Sequence, residues 1–407
     1  MTQRARRKTK VDRSQMRTGF TTGANACAAA CAAARMLRGE ALPEWTDTLP
    51  ELTADRYDEL AGAVEVVIPN GQPVRFAVRT AVVEDAEAGR FARCSVIKDG
   101  GDDPDCTHRA EIWATVEWTD QPGVVELIGG EGVGTITRPG LGLPVGAPAI
   151  NPVPRRNITE QVLEQLPPAH GARVTIGIIN GEQLATKTLN QRLGILGGLS
   201  VLGTTGIVRP YSTAAFRASV SQAIDVAGKL GLREVIVTTG GRSERYAQGL
   251  RPDLPEQAFI QMGDFVGHAL NHAAKKDIQQ ITICGMMGKL SKMADGRTMT
   301  HAKGSAVNMA LLAELARSAG VGEDVCAEIL AANTGRHVSE LVTAAGRGPA
   351  FCAAICERVG IVLVDHLRAR WPAPPALGVL FVDFEGALLG QWPEAALQPH
   401  SPEASDA

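Results

Sequence analysis

The sequence predicts an α+β N-terminal domain with an antiparallel sheet, followed by an α/β Rossmann-like domain with a mainly parallel sheet. Three observations lead there. Up to about residue 190 the chain alternates short apolar-polar segments with Asn-Gly and Gly-rich turns, the mark of antiparallel strands. Beyond Leu199 the rhythm becomes strand, glycine loop, helix, at lengths that suit parallel strands covered by helices. A chain of 407 residues also exceeds what one apolar core usually organises, so two domains are expected.

Taken in order, RARRKTK opens a basic tail expected to be disordered over residues 1–16. The domain assigned to 17–195 begins with RTGFTTG and an Ala-rich helix, Ala24–Leu37, too poor in leucine for a membrane segment and therefore read as buried. VEVVIP and PVRFAV flank the turn Ile68–Gly71 as a hairpin. RCSVIKD, EIWATVEW and VTIGIING supply further strands.

The α/β domain is assigned to 196–345. Ser212 caps a helix that puts Phe216, Val220, Ile224 and Ala227 on one face. EVIVTTGG and ITICGMMGK are strands entering glycines, Phe259–Ala273 is an amphipathic run read as a helix, and another helix is expected from about Lys303 to Ser318. Over 346–393, helical segments, the WPAPP break and the strand GVLFVDF pack back on the body, and 394–407 forms a mobile tail.

Composition removes several functions. A net charge of −3 with 4% aromatics offers neither the basic face nor the stacking platforms of a nucleic-acid binder. No stretch reaches the roughly 18 uninterrupted apolar residues of a membrane span. The eight cysteines include i,i+4 pairs but no C-x2-C, which fits reduced thiols in a cytoplasmic protein and no zinc site.

The stretch VIKDGGDDPDCTH, Val96–His108, concentrates acidic groups around a histidine. A calcium loop starting at Asp99 would need an oxygen ligand at Gly101 and a bidentate Glu at Ala110, so that reading fails. Asp-rich, Pro-containing segments commonly make solvated turns. Crowded carboxylates beside His108 can also shift one another's pKa and supply a base.

Three glycine junctions, SVLGTTGIVRPYS, VTTGGRSE and ICGMMGKLSK, are read as loops at the carboxyl ends of parallel strands, facing one crevice. None has Walker spacing, and IGGEGVG lacks the following helix of a nucleotide motif, which leaves it a turn. His301 has no H-x-x-H partner, and His268 with His272 reads as a helix face rather than a metal site.

Together, RTGFTTGANACAAA, VIKDGGDDPDCTH, GGEGVGTITRPGLGLPVGAPAINPVPRRNI, LNQRLGILGGLSVLGTTGIVRPYS, QMGDFVGHAL and GMMGKLSKMADGRTMTH resemble the CbiD family of cobalt-precorrin-5B C1-methyltransferases in the oxygen-independent vitamin B12 pathway. The similarity runs from about Arg17 to His301 and weakens toward the C-terminus. One departure is Asn308, where the family tends to carry Asp. The resemblance implies methyl transfer from S-adenosylmethionine to C1 of a corrinoid precursor, giving cobalt-precorrin-6A.

Alignment of donor and an electron-rich ring carbon then suffices, without a resident metal, since cobalt arrives chelated in the substrate. On this basis Thr204, Thr205, Gly206, Thr239, Gly240, Gly241, Gly285, Gly288 and Lys289 are expected to bind the donor. Asp99, Asp102, Asp103, His108 and His301 are expected catalytic residues. Thr21, Thr22, Arg138, Asn151, Arg155, Arg192 and Arg209 are expected to hold the substrate's carboxylates.

A homo-oligomer is compatible with the sequence. Two alternatives remain: an NAD-dependent oxidoreductase, disfavoured because no G-x-G-x-x-G in context and no acid after a second strand is seen, and a non-enzymatic tetrapyrrole-binding protein.

Overall fold

The structure is a computed structural model that describes residues 15–47, 60–86, 89–301 and 306–394. The tails expected at 1–16 and 394–407 lie outside these residues, apart from Gln15, Met16 and Glu394. The chain divides into two compact units, Met1–Thr213 and Ala214–Ala407, so residues 196–213 belong to the first unit and not to the α/β unit.

In the first unit, helix α1 (Thr22–Leu37) starts where the Thr21 hydroxyl accepts the Ala24 N–H at 3.2 Å. Its alanines are buried nearly all round, because methyl side chains let the helix backbone lie close against a sheet. Strands β1 (Gly62–Val67) and β2 (Pro73–Val78) form the expected antiparallel hairpin, with Gly71 at φ +86° in its turn.

Then follow β3 (Thr80–Ala86), β4 (Gly89–Ile97), β5 (Glu111–Thr119), β6 (Val125–Gly129), α2 (Pro152–Leu163) and β7 (Gly171–Ile178). The sheet order is β3-β4-β5-β7-β6. Three pairings are antiparallel as expected, but β6 and β7 run parallel. The reason is connectivity: the chain returns from β6 through α2, a crossover long enough to restart a strand in the same direction. The core joins α1 to Val96, Ile112, Val174 and Ile176.

Of IGGEGVG only Gly130 and Glu131 make the turn, since Ile128 and Gly129 end β6 and Gly132–Val133 pair parallel with Gly198–Leu199. Gly132, at φ +77°, lies so close to Ile178 that a Cβ would come within 2.0 Å of its carbonyl oxygen.

The second unit contains α3 (Thr213–Lys229), β8 (Glu234–Thr238), α4 (Gly241–Leu250), β9 (Phe259–Gln261), α5 (Val266–Ala273), β10 (Gln280–Gly285), α6 (Met287–Ala294), α7 (Met309–Ser318), α8 (Glu323–Ala331), α9 (Gly335–Ala344), α10 (Gly348–Arg368), β11 (Ala376–Val382) and β12 (Leu388–Trp392). Its sheet is mixed, in the order β9-β8-β10-β11-β12: the first three pairings are parallel and β12 runs antiparallel at the edge.

Two expectations change here. Phe259–Gln261 is a strand and the helix begins only at Val266, because Phe259 and Ile260 fill the core beside β8. The helix expected from Lys303 begins at Met309, where the Asn308 side chain accepts the Leu311 N–H at 3.1 Å; residues 302–305 lie outside the described set. Asp caps a helix as well as Asn does, so the Asn308 departure from the family pattern leaves the cap intact. Among the described residues no helix is long and apolar enough to cross a membrane.

Candidate functional site

The acidic loop of the first unit begins where β4 ends. Lys98, 1% exposed, reaches from the sheet to the Asp105 carboxylate, whose other oxygen accepts the Thr107 N–H (2.8 Å) and hydroxyl (2.6 Å). Asp99 receives the Arg17 guanidinium through both nitrogens and the Gly101 N–H at 2.9 Å. Burial pushes the Asp99 carboxyl up, but Arg17, the Gly101 N–H and His108 outweigh it and hold the group below the usual carboxylate range.

The Arg17 N–H donates to Asp102 at 2.6 Å, and the Tyr211 N–H to Asp103 at 2.8 Å. A Cβ on Gly19 would come within 2.2 Å of the Gly100 carbonyl carbon, so RTGF lies directly on the loop. The loop is therefore a clamp: Asp99 and Asp105 are consumed by ion pairs and hydrogen bonds.

His108 differs. Its Nδ1 accepts the Gly100 N–H at 3.0 Å, which leaves the proton of the neutral ring on Nε2. Burial lowers its pKa below the ordinary histidine value, Asp99 opposing and Arg109, Lys98 and Arg17 assisting. In that tautomer Nε2–H is the group that can donate a hydrogen bond.

Thr204, Thr205 and Gly206 are not a junction of the α/β sheet. They lie in the first unit, where the Thr21 N–H donates to Gly206 O at 2.9 Å and Gly19–Phe20 pairs antiparallel with Ile207–Val208. The Gly-Thr-Thr-Gly run joins two short clips, Gly198–Leu199 paired parallel with Gly132–Val133 before it and Ile207–Val208 after it, neither of them in the second unit's sheet. Thr21 and Thr22 are buried with their hydroxyls spent, Thr21 on its cap and Thr22 on Ser200 O (3.2 Å) and the Leu202 N–H (2.9 Å).

Asn151 caps α2 without a side-chain hydrogen bond, and half-buried Arg155 stands in its first turn. Arg138 donates to Arg192 O at 3.3 Å, while Arg209 is exposed.

The other expected loops do come together, at the carboxyl edge of the second unit's sheet. From β8 the chain goes first to β9 on one side and then to β10 on the other, so the order reverses between β8 and β10, where open α/β sheets form their crevice. Thr239–Gly241 and Gly285–Lys289 flank that point, and the Thr239 N–H donates to Cys284 O at 3.2 Å. Ser243 closes the first loop on itself, accepting the Gly240 N–H at 3.1 Å and donating to Gly240 O at 2.8 Å. A Cβ at Gly240 or Gly288 would meet nothing within 4 Å, so neither glycine is there for packing.

Lys289 reaches from its own loop to the other two. Its ammonium donates to Thr239 O at 2.7 Å and lies 3.1 Å from Asp264, which follows β9. The Thr300 hydroxyl donates to the same Asp264 oxygen at 3.1 Å, and His301 Nδ1 is 3.6 Å from the other. His301 thus joins this cluster in the second unit. Reading 259–273 as one helix hides Asp264, whose signal is Gly-Asp at a strand exit. It is also the acid after a second strand that the sequence reading found lacking.

His268 and His272 are spent on Ser221 (2.9 Å) and Asp225 (2.8 Å) respectively. Among the described residues no three His, Cys, Asp or Glu are grouped to hold a metal ion.

Known proteins resemble most of this chain. The family model described as CbiD matches residues 9–210, and that described as CbiD, C-terminal domain, matches 299–393. A cobalt-precorrin-5B C(1)-methyltransferase of a Polaromonas species is 48% identical, covering 92% of this chain and 97% of the relative. A protein of the same name from Thermus thermophilus is also 48% identical, covering 94% and 96%. A crystal structure of the cobalamin biosynthesis protein (cbiD) from Archaeoglobus fulgidus is 28% identical over 69% of this chain and 80% of that one, with a TM-score of 0.34. With such relatives along almost its whole length, the chain belongs to the CbiD family.

Proposed function

We propose that this protein transfers a methyl group from S-adenosylmethionine to C1 of cobalt-precorrin-5B, giving cobalt-precorrin-6A in the oxygen-independent route to cobalamin. The observation that carries the reading is the near-full-length similarity to proteins named for that reaction. A cytoplasmic location belongs to the same proposal.

The four parallel strands with their helices support reading the second unit as Rossmann-like and its crevice as the donor site. Open space at Gly240 and Gly288 lets the backbone approach a ligand there, and the N–H groups opening α4 and α6 suit a carboxylate. When bound, the donor supplies a methyl group already activated by a sulfonium sulfur. Lys289 is spent on Thr239 O and Asp264, an arrangement that favours such a donor over the pyrophosphate of a dinucleotide.

In the first unit, Arg138, Arg155, Arg192 and Arg209, with Asn151, are our candidates for the substrate's carboxylates. Thr21 and Thr22 act through the loop they anchor. His108 offers Nε2–H as a donor, and Asp102 or Asp103 is the better candidate base, because Asp99 is held by Arg17.

Incubation with cobalt-precorrin-5B and methyl-labelled S-adenosylmethionine tests the reading. One labelled methyl at C1, located by NMR, is the expected outcome. Unlabelled macrocycle with intact donor would refute it. Oxidation of added NADH would instead favour an oxidoreductase, and macrocycle binding without donor binding a carrier.

A further inference from the structure

Asp264 stands just beyond a strand exit. It follows the second strand of its unit, β9, about 20 residues beyond the glycine turn after the first, at the carboxyl edge of the sheet and one strand away from the point where the order reverses. Its carboxylate is pre-oriented from several sides, by Lys289 at 3.1 Å, the Thr300 hydroxyl at 3.1 Å and His301 Nδ1 at 3.6 Å. The Asp264 carbonyl oxygen also accepts the Thr300 N–H at 3.0 Å. Such a group costs rotamer entropy once, at folding, and then accepts hydrogen bonds without further ordering.

The residue before it adds a second, independent feature. Gly263 adopts φ +60°, and a Cβ there would lie 2.9 Å from the Phe216 ring, so that ring rests on the backbone beside the carboxylate. Phe216 is 41% exposed and meets Phe265 at 5.4 Å between centroids. In a chain with 4% aromatics, a half-exposed ring beside a fixed carboxylate is a surface that fits a nucleoside: a vicinal diol for the acid, a flat base for the ring.

We infer that the nucleoside half of the donor seats at the end of β9, with its ribose hydroxyls donating to Asp264 and its base against Phe216. This rests on the methyl-donor reading above and names the residues that hold the donor. Lys289 acts as a positioning residue, holding the Asp264 carboxylate and the Thr239 loop in register.

Calorimetric titration of the full chain with S-adenosylhomocysteine and its 2′-deoxy and 3′-deoxy analogues is the test. The wild type should bind each deoxy analogue more weakly than the parent, by roughly tenfold. Asp264→Asn should lose about the same factor for the parent and no longer distinguish the analogues. Phe216→Ala should weaken all three ligands equally and keep the distinction.

A wild type that binds the parent and both deoxy analogues with equal affinity overturns the inference, whether or not Asp264→Asn folds, and leaves the methyl-donor reading standing. Equal binding of the parent by wild type and folded Asp264→Asn does the same. A wild type that binds no S-adenosylhomocysteine overturns the donor reading, and this inference with it.

Discussion

Replacing Lys98 by Met should destabilise the first unit by about 2–4 kcal/mol. Removing one partner of a buried ion pair costs about 3–5 kcal/mol, because the other charge stays behind uncompensated. Here the cost is reduced because Asp105 is 21% exposed and keeps both Thr107 donors. For a unit of this size the melting midpoint should fall by roughly 5–10 °C.

The effect has a pH signature. Burial pushes the Asp105 carboxyl up, but the Lys98 ammonium and the Thr107 donors outweigh it, so its pKa lies below the ordinary value. The pair's contribution is then complete above the unfolded-state pKa and disappears as pH falls through the lower folded-state value. The gap between wild type and Lys98→Met should narrow in acid, and Asp105→Leu added to Lys98→Met should recover part of it. Hydrogen exchange followed by mass spectrometry separates the units: peptides of β4 and β5 should lose protection while those of β8 and β10 keep theirs. Unchanged stability at neutral pH, or a deficit of the same size in acid, would refute the reasoning.

Two further predictions follow from single contacts. Gly177→Ala places a Cβ 2.1 Å from the Trp113 ring and should cost about 1–3 kcal/mol by overpacking, largely recovered by adding Trp113→Leu in thermal melts. His108, neutral with Nδ1 accepting from Gly100, should titrate by NMR below the ordinary histidine value, and because a proton on Nδ1 removes that acceptor and releases the Gly100 N–H, methyl transfer should fall as pH drops through that value. His108→Asn should remove that acid limb, and a titration above the ordinary value would overturn the assignment.

The Ala-rich helix and the hairpin around Ile68–Gly71 were legible because their signals are local: small side chains over many turns in one case, alternation across an Asn-Gly turn in the other. The glycine exits of β8 and β10 were legible for the same reason. Phe259–Gln261 was not, since a three-residue strand leaves no period to read and merges with the helix after it. Asp264 was lost with that strand.

The acidic loop marks the same division. Its composition announced a charged turn, but Arg17 meets Asp99 across 82 residues, and Tyr211 meets Asp103 across 108. The sequence by itself determined the family, most of the strand and helix content, and the glycine exits of β8 and β10, all of which depend on neighbours along the chain. The tertiary structure alone decided which carboxylates are neutralised, that Gly206 belongs with Thr21, and that Lys289 pairs with Asp264, because charges become partners only after folding brings distant segments within a few ångströms.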